Sequence, residues 1–185
     1  MKYTHTNIHG VTVVDIESHN DQRGFFARSF CADEFAKHGL ESTVAQVNYA
    51  YNHARGTLRG LRRQVPPFAE AKLVRCTRGA IFAVAVEVRL ESETFSQHVT
   101  VELTAENRRA LFLPPYVAHG YQTLADDTEV MYQDSGPYEA KGEQGFRWDD
   151  PEFGISWPLP ITVISDKDAG WPLIAEAARL SRSDN

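Results

Sequence analysis

The sequence has few cysteines, no paired histidines and no long apolar run, and each shortage excludes a class of protein. Only Cys31 and Cys76 occur in 185 residues, which excludes a disulfide scaffold and favours buried, reduced thiols. No segment approaches the ~20 apolar residues of a membrane span, and the first ten residues lack the apolar stretch of a secretory signal. Acidic residues outnumber basic ones, 25 to 19, so nucleic acid is not an expected partner. We therefore expect a cytoplasmic protein without a membrane partner.

The seven histidines are scattered and none forms a His-X-His pair. Cation sites in proteins need three or more converging ligands, and this arrangement predicts no metal. His5 and His9 are four residues apart, but their polar segment carries no helix signal. We expect them to lie in a disordered N-terminal arm.

Short segments of alternating or β-branched residues, separated by turn residues, predict an all-β fold. They form a double-sheet barrel of jelly-roll type in a single domain, 1–185. One short helix is expected at Asp33–His38, ended by Gly39, and another at Ile174–Leu180, followed by a frayed 181–185. The predicted strands are Val11–Ile16, Phe25–Phe30, Val44–Asn52, Leu58–Gln64, Lys72–Cys76, Ile81–Val88, Gln97–Leu103, Leu111–Leu113, Gly120–Leu124, Glu129–Asp134 and Ile161–Ser165.

Two segments indicate how the barrel is layered. Ile81–Val88 is apolar on both faces, which predicts a strand sandwiched between layers. Gly136–Pro160 is rich in glycine and proline but contains Trp148 and Trp157. Because these aromatic side chains have surface to bury, we expect an ordered loop rather than a linker.

The stretch Leu58–Lys72 contains three arginines within five residues, namely Arg59, Arg62 and Arg63. Guanidinium groups bind phosphate oxygens with two donors, and the cluster has the size of a pyrophosphate site. The alternative interpretation is an exposed edge strand whose charges prevent sheet-to-sheet pairing.

Taken in order from Val11 to Asp168, the chain resembles the dTDP-4-dehydrorhamnose 3,5-epimerase family, cupin-type enzymes of deoxysugar biosynthesis. The matching segments are DQRGF at 21–25, QVN at 46–48, LRGL at 58–61, AKLVRCTRGAIFAVAVEVR at 71–89, VELTAENRRALFLPPYVAHGYQTL at 101–124, Tyr132, GEQGFRWDDPEFGISWPL at 142–159 and SDKD at 165–168.

The resemblance implies inversion of stereochemistry beside a ketone, without a metal or redox cofactor. The substrate would be a nucleoside-diphosphate 4-keto-6-deoxyhexose, acidic at C3 and C5. A base removes a proton, an enolate forms, and an acid on the opposite face returns a proton. A homodimer is also implied, in which the N-terminal strands within 1–30 cross to the neighbour and complete its pocket.

The resemblance also assigns roles to single residues. Lys72 matches the residue that stabilises the enolate oxygen, Tyr132 the acid, and Asp168 the carboxylate of a His–Asp dyad. His119 matches a substrate-binding histidine. The remaining substrate-binding matches are Arg23 and Arg59 for phosphate and Gln46, Asn48 and Glu143 for further contacts.

Two residues depart from the family pattern. Arg62 stands where the family has its basic histidine, and arginine stays protonated at any accessible pH. If Asp168 lies opposite, the two side chains are expected to form an ion pair. Arg28 stands where the family commonly has a glutamate that meets the nucleotide base, so the nucleotide identity is open.

Strict alternation along Leu58–Gln64 puts Arg59 and Arg62 on opposite faces. Both can reach one site only if the strand contains a bulge, and Gly60 is the residue that allows one.

Three functions remain open. The first is an epimerase acting at one or both centres, with Tyr132, His119 or water removing the proton. The second is a repurposed isomerase, dehydratase or cyclisation catalyst acting on another anionic metabolite. The third is a non-catalytic sugar-nucleotide-binding protein.

Overall fold

Antiparallel strands dominate residues 1–176, which are the residues that the computed structural model describes. Two short α-helices, α1 (Ala32–Lys37) and α2 (Asp166–Ala169), and a 3₁₀ turn at Ala140–Gly142 accompany them. The strands are β1 (Lys2–His5), β2 (Thr12–Asp15), β3 (Ser18–Asp21), β4 (Gly24–Ala27), β5 (Gln46–Asn52), β6 (Leu58–Gln64), β7 (Lys72–Arg78), β8 (Ala80–Glu87), β9 (His98–Thr104), β10 (Ala110–Leu113), β11 (Val117–Thr123), β12 (Thr128–Asp134) and β13 (Glu143–Gly145).

Two antiparallel sheets face each other. The larger has the order β1-β2-β10-β7-β12-β5 and the smaller the order β13-β6-β11-β8-β9, while β3 and β4 form a separate hairpin. The main core lies between the sheets, where Val74, Leu111 and Val130 of the larger sheet meet Ile81 and Leu103 of the smaller. The all-β jelly-roll prediction is confirmed, and sheet-on-sheet burial of this core stabilises it.

Strand β8 is covered on both faces, as its apolar residues on both faces predicted. Its second face packs against residues that follow β12. Val84 and Val86 contact a cluster that includes Phe146 and Phe153, with Trp157 packed against it. Residues 136–160 are therefore an ordered segment, as predicted: 143–145 pair with β6 as β13, and residues from Phe146 to Trp157 cover the outside of the smaller sheet.

Helix α1 covers the outside of the larger sheet. Asp33 and Glu34 lie in its first turn, where acidic side chains favour the helix dipole. Phe35 is fully buried in a cluster with Leu73 and Phe112. Gly39 follows the helix with φ of +69°, the left-handed conformation predicted for it.

Three local predictions were wrong or incomplete. The N-terminus is not a disordered arm, because β1 pairs with β2 along its whole length. Ile161–Ser165 is not a strand, since only Val163 forms a single parallel bridge, to Thr57. Helix α2 was not predicted. Of the helix predicted at Ile174–Leu180, residues 174–176 are helical, and the remainder lies outside the described residues.

In the described part of the chain, no helix is long and apolar enough to cross a membrane.

Candidate active site

A cavity of about 540 Å³ opens between the two sheets. Strands of both sheets line it, so residues that are distant in sequence meet there. The lining consists of Gln46, Asn48, Tyr49, Ala50, Arg59, Gly60, Arg62, Arg63, Gln64, Glu70, Lys72, His119, Gly120, Tyr121, Tyr132, Asp134, Tyr138 and Glu143.

Strand β6 carries the irregularity that its arginines require. Arg62 pairs with His119 and Arg59 with Tyr121, so the register shifts between the two pairs. Gly60 lies in this shift with φ of +107°, and a Cβ there would be 2.6 Å from the Cα of Gly120. Only glycine fits this position. The predicted bulge at Gly60 is confirmed, and both Arg59 and Arg62 reach the cavity.

Arg62 is held by two carboxylates. Its Nε and Nη2 atoms bind the two oxygens of Asp168 at 2.8 and 2.9 Å, and its Nη1 binds Glu143 at 2.9 Å. The Asp168 and Glu143 side chains are only 1% and 4% exposed. Burial alone would lower the pKa of Arg62, but the hydrogen bonds and charges of both partners raise it above its ordinary value. The sequence-predicted Arg62–Asp168 ion pair is present, and Asp168 lies behind Arg62 rather than in the cavity lining.

Glu143 is also bound by groups other than Arg62. The Tyr138 hydroxyl donates to it at 2.8 Å, and Lys167 of α2 forms a close ion pair with it. Burial favours the neutral acid, but the hydrogen bonds from Lys167, Tyr138 and Arg62 outweigh this and lower the pKa of Glu143. Glu143 is therefore ionised and fully engaged.

Lys72 also lies between two carboxylates. It forms a close ion pair with Glu70, and its Nζ is 3.1 Å from Oδ1 of Asp134. Asn48 donates to the other oxygen of Asp134 at 2.9 Å. The three charged side chains together carry one net negative charge, so the Lys72 ammonium is compensated before any ligand binds.

Glu70 is the least satisfied of these carboxylates. Its side chain is 1% exposed, and its Oε2 atom has no hydrogen-bond partner within residues 1–176. Burial raises the pKa of Glu70, and the charge of Asp134 acts in the same direction, although Lys72 and the adjacent Gln64 side chain act in the opposite direction. The neighbouring Gln64 amide donates instead to the carbonyl of Pro137 at 3.3 Å.

His119 and Tyr132 face each other edge to face, with ring centroids 6.2 Å apart. Burial, together with the charges of Lys72 and Arg62, lowers the pKa of His119 to about 3. His119 is therefore neutral, and its Nε2 atom has no partner in the described chain. Burial, followed by the adjacent Tyr121, raises the pKa of Tyr132 well above its ordinary value. Tyr132 is consequently a protonated donor.

Arg59 has only neutral partners. Its Nε donates to Asn52 at 2.7 Å and its Nη2 to the carbonyl of Tyr51 at 3.3 Å. No salt bridge involves Arg59 in the described part of the chain, which leaves its charge available to an anion. Arg63 also borders the cavity, but its guanidinium donates to Gln144 and to the carbonyl of Tyr116 and lies over the ring of Phe146.

The structure does not bring Arg23 and Arg28 to this cavity. Arg23 lies in the turn of the β3–β4 hairpin, paired with Asp21, and its side chain is 90% exposed. Arg28 follows β4 and pairs with Glu34 at 2.8 Å. Within one chain, neither arginine belongs to the site.

Sequence reasoning missed several carboxylates and hydroxyls of the cavity. Glu70 and Asp134 were overlooked, although Glu70 precedes Lys72 by two residues and shares its face by strand alternation. Asp134 is paired directly with Lys72 across β7 and β12. Tyr138 and Lys167 gave no signal, since only the folded path of residues 136–169 brings them to Glu143.

No group of three or more potential metal ligands occurs among residues 1–176. The lining offers instead acid–base side chains next to cations, in a space large enough for a small molecule. A jelly-roll barrel with such a site between its sheets has the architecture of the cupin-type class of enzymes.

Comparison with known proteins identifies the family. The sequence model of dTDP-4-dehydrorhamnose 3,5-epimerase matches residues 5–176. The dTDP-4-dehydrorhamnose 3,5-epimerase of Sinorhizobium fredii is 41% identical over 177 residues, 95% of this chain and 91% of that protein. The chain belongs to the dTDP-4-dehydrorhamnose 3,5-epimerase family, and its resemblance to that family in sequence is confirmed.

Solved structures agree with this assignment. NovW, a 4-keto-6-deoxy sugar epimerase from the novobiocin gene cluster of Streptomyces spheroides, matches with a TM-score of 0.93 and 33% identity, covering 98% of this chain and 91% of that one. ChmJ, a 3'-monoepimerase from Streptomyces bikiniensis in complex with dTDP-quinovose, matches with a TM-score of 0.89 and 35% identity, covering 95% and 89%. The chain is thus an isomerase of the sugar-epimerase type.

Proposed function

We propose that this protein inverts one or both centres beside the C4 ketone of a dTDP-linked 4-keto-6-deoxyhexose, through an enolate. The observation that carries the proposal is the convergence of Lys72, Tyr132 and Arg59 on one cavity. An ammonium group can stabilise the enolate oxygen, a protonated acid can return the proton, and an uncompensated guanidinium can bind the diphosphate. The sugar-nucleotide ligand of ChmJ and the substrate class of NovW support the same choice.

In this proposal the ketone oxygen lies against Lys72. Charge that develops on the oxygen during enolisation is stabilised by the ammonium group, which then exchanges part of its interaction with Asp134 for the enolate. Tyr132 returns the proton, because its raised pKa keeps it protonated. Neutral His119 contributes a hydrogen bond to the sugar.

Arg59 binds the diphosphate in the proposed complex. Arg59 has no carboxylate partner in the described chain, whereas Arg62 is already neutralised by Asp168 and Glu143. The Arg63 guanidinium is engaged by Gln144 and the carbonyl of Tyr116. Gln46 and Asn48 lie on the β5 side of the same cavity and supply neutral hydrogen bonds.

We further propose a homodimer of a cytoplasmic protein. Both cysteines are unpaired, in keeping with a reducing compartment. Strand β5 is an edge of the larger sheet and exposes Val47 and Tyr49, by 51% and 62%. The β3–β4 hairpin exposes Phe26 by 76%. An arrangement in which each hairpin covers the neighbour's β5 buries these side chains and carries Arg23 and Arg28 towards the neighbour's cavity.

The dimer is tested by sedimentation velocity of the protein and of Val47→Glu. The expected result is a dimer that the charged substitution dissociates. Monomeric wild-type protein at micromolar concentration contradicts the arrangement, and so does a dimer with unchanged affinity in the variant.

A second candidate function rests on Arg62. Where the resemblance predicts a basic histidine, this chain has a cation fixed by two carboxylates, and such a site can serve a repurposed isomerase, dehydratase or cyclisation catalyst. That alternative predicts weak dTDP binding, whereas the proposed epimerase is stabilised against heat by dTDP. A non-catalytic sugar-nucleotide-binding protein binds dTDP without proton exchange.

The deciding experiment is proton NMR of dTDP-4-keto-6-deoxyglucose in D₂O with the wild-type protein, Arg62→His and Tyr132→Phe. Wild-type exchange at C3 or C5 supports the proposal and identifies the centre that inverts. Tyr132→Phe is expected to lose inversion by about 10²-fold or more while still binding dTDP. If Arg62→His catalyses exchange and the wild-type protein does not, the natural protein is inactive on this substrate. No exchange by either, together with no stabilisation by dTDP, assigns the site to another anion. No exchange together with stabilisation by dTDP assigns it to the non-catalytic binding protein.

A further inference from the structure

An epimerase needs a proton acceptor, and neither Arg62, at the position of the family's base, nor His119 nor Tyr132 provides one. Arg62 is a permanent cation in two ion pairs. His119 has a pKa of about 3, so it holds a proton too weakly to be an effective base near neutral pH. Tyr132 is protonated and cannot accept a proton until it has donated one.

The carboxylates around the cavity differ in how fully they are engaged. Asp168 accepts from Arg62, the Gly60 amide and Trp171. Glu143 accepts from Arg62, Tyr138 and Lys167. Protonation of either carboxylate would break or weaken these charge-assisted hydrogen bonds.

Asp134 is engaged at both oxygens, by Lys72 and Asn48. Glu70 differs, because Lys72 holds only its Oε1 atom, and its Oε2 atom is buried without a partner in the described chain. A buried carboxylate oxygen without a donor is costly, and such exceptions are typical of catalytic positions. Burial also raises the pKa of Glu70, which strengthens it as a base relative to an exposed glutamate.

We propose that Glu70, whose side chain borders the cavity, is the general base of the epimerase reaction. Its carboxylate turns when the ligand binds, so that the Oε2 atom, which is buried in the empty site, faces the substrate and accepts the proton from the carbon next to the ketone. This inference rests on the proposed function. Lys72 supplies the geometry, since the residue that holds the ketone oxygen also holds Oε1 of Glu70. The carbons that carry the acidic protons are bonded to the ketone carbon, so they lie next to the same ammonium group.

The C–H bond breaks and its electron pair forms the C=C bond of the enolate, while the carbonyl π pair moves onto the oxygen next to Lys72. The proton forms an O–H bond with Oε2 of Glu70. Return of a proton from the Tyr132 hydroxyl to the carbon restores the ketone, and water carries the proton of Glu70 back to the Tyr132 phenolate. No oxidant, metal or leaving group takes part.

The test compares wild type, Glu70→Gln and Glu70→Asp, with Glu102→Gln as the matched control. Glu102 is an exposed carboxylate on β9, remote from the cavity lining. The measurements are the rate of deuterium exchange into dTDP-4-keto-6-deoxyglucose as a function of pH, dTDP affinity, and the thermal unfolding midpoint.

Glu70→Gln is expected to lower exchange by about 10²- to 10⁴-fold and to remove the fall in rate at acidic pH. Its dTDP affinity is expected to stay within about threefold of wild type, since Arg59 is untouched. Glu70→Asp keeps a carboxylate and is expected to keep the acidic limb at a reduced rate. Glu102→Gln is expected to match wild type.

The outcomes separate the two proposals. Wild-type exchange that persists in Glu70→Gln, or an acidic limb that survives there, overturns the role of Glu70 and leaves the epimerase intact. Absence of wild-type exchange overturns both. If Glu70→Gln does not fold, Glu70→Asp provides the test. A general base must be correctly placed, so an exchange rate and pH profile of Glu70→Asp identical to those of wild type contradict the role of Glu70.

Discussion

Replacing Arg62 with glutamine tests whether the ion-pair cluster beneath the cavity stabilises the fold. The change removes one cation from between Asp168 and Glu143, whose side chains are 1% and 4% exposed. Glu143 keeps Lys167 and Tyr138 as partners. Asp168 keeps only uncharged donors, so it becomes the uncompensated charge.

The expected loss follows from burial. Removing one partner of a fully buried ion pair costs about 3–5 kcal/mol, whereas an exposed pair contributes about 0–1 kcal/mol. Arg62 itself is 35% exposed, and Asp168 keeps hydrogen bonds from the Gly60 amide and Trp171, each at 3.3 Å. We therefore expect Arg62→Gln to lose about 2–3 kcal/mol. For a chain of this length that loss lowers Tm by about 4–12 °C.

The assay is equilibrium unfolding in urea of Arg62→Gln, Asp168→Asn and the double variant. The double variant is expected to be more stable than the sum of the single losses predicts, because its buried carboxylate has gone. Arg147→Gln is the matched control. Arg147 binds Asp149 at 2.8 and 2.9 Å, but both side chains are more than a third exposed, so little change is expected. Additive losses, or an Arg62→Gln as stable as wild type, would refute the reasoning.

Three further perturbations have defined outcomes. Gly60→Ala places a Cβ 2.6 Å from the Cα of Gly120, at a residue whose φ is +107°. Urea unfolding should show that the free energy of unfolding falls by about 2–4 kcal/mol. Unchanged stability would contradict the bulge. Arg59→Ala should weaken dTDP binding, measured by calorimetry, about 10- to 150-fold, because a hydrogen bond to a charged group contributes ~1.5–3 kcal/mol. An affinity equal to that of wild type would show that Arg59 does not bind the diphosphate. The pKa of His119, about 3 when folded and ~6.5 when unfolded, means that the unfolded chain binds one proton more between these values and stability falls with falling pH. His119→Gln should make that slope shallower by about 1.4 kcal/mol per pH unit in urea titrations from pH 6 to 4.5, and an unchanged slope contradicts the lowered pKa.

The sequence predicted the fold because its strongest signals are local. Alternation located β6 and β9, and the doubly apolar β8 indicated a covered strand. The bulge was predicted from four residues, since Arg59 and Arg62 could not otherwise share a face. Each of these inferences needs only the geometry of a single strand.

The sequence did not predict what depends on pairing between distant segments. Strand β1 is polar, and it forms because it pairs with β2. Ile161–Ser165 has strand propensity, but its chain passes the edge of β6 with one bridge at Val163. The Glu70–Lys72–Asp134 cluster requires β12 to lie beside β7 in register, which composition does not specify.

The layer formed by residues 136–160 links the cavity to the far side of the smaller sheet. The same segment supplies Tyr138 and Glu143 to the cavity and Phe146 and Phe153 to the outer apolar cluster. One wall of the cavity is therefore attached to the protein by hydrophobic contacts on the opposite side of a sheet. A local opening of this segment would uncover the ligand and break only the short pairing of β13 with β6, while the other strands of the barrel stay paired. Hydrogen exchange in 136–160 and the ligand's dissociation rate should therefore respond together to substitutions at Phe153.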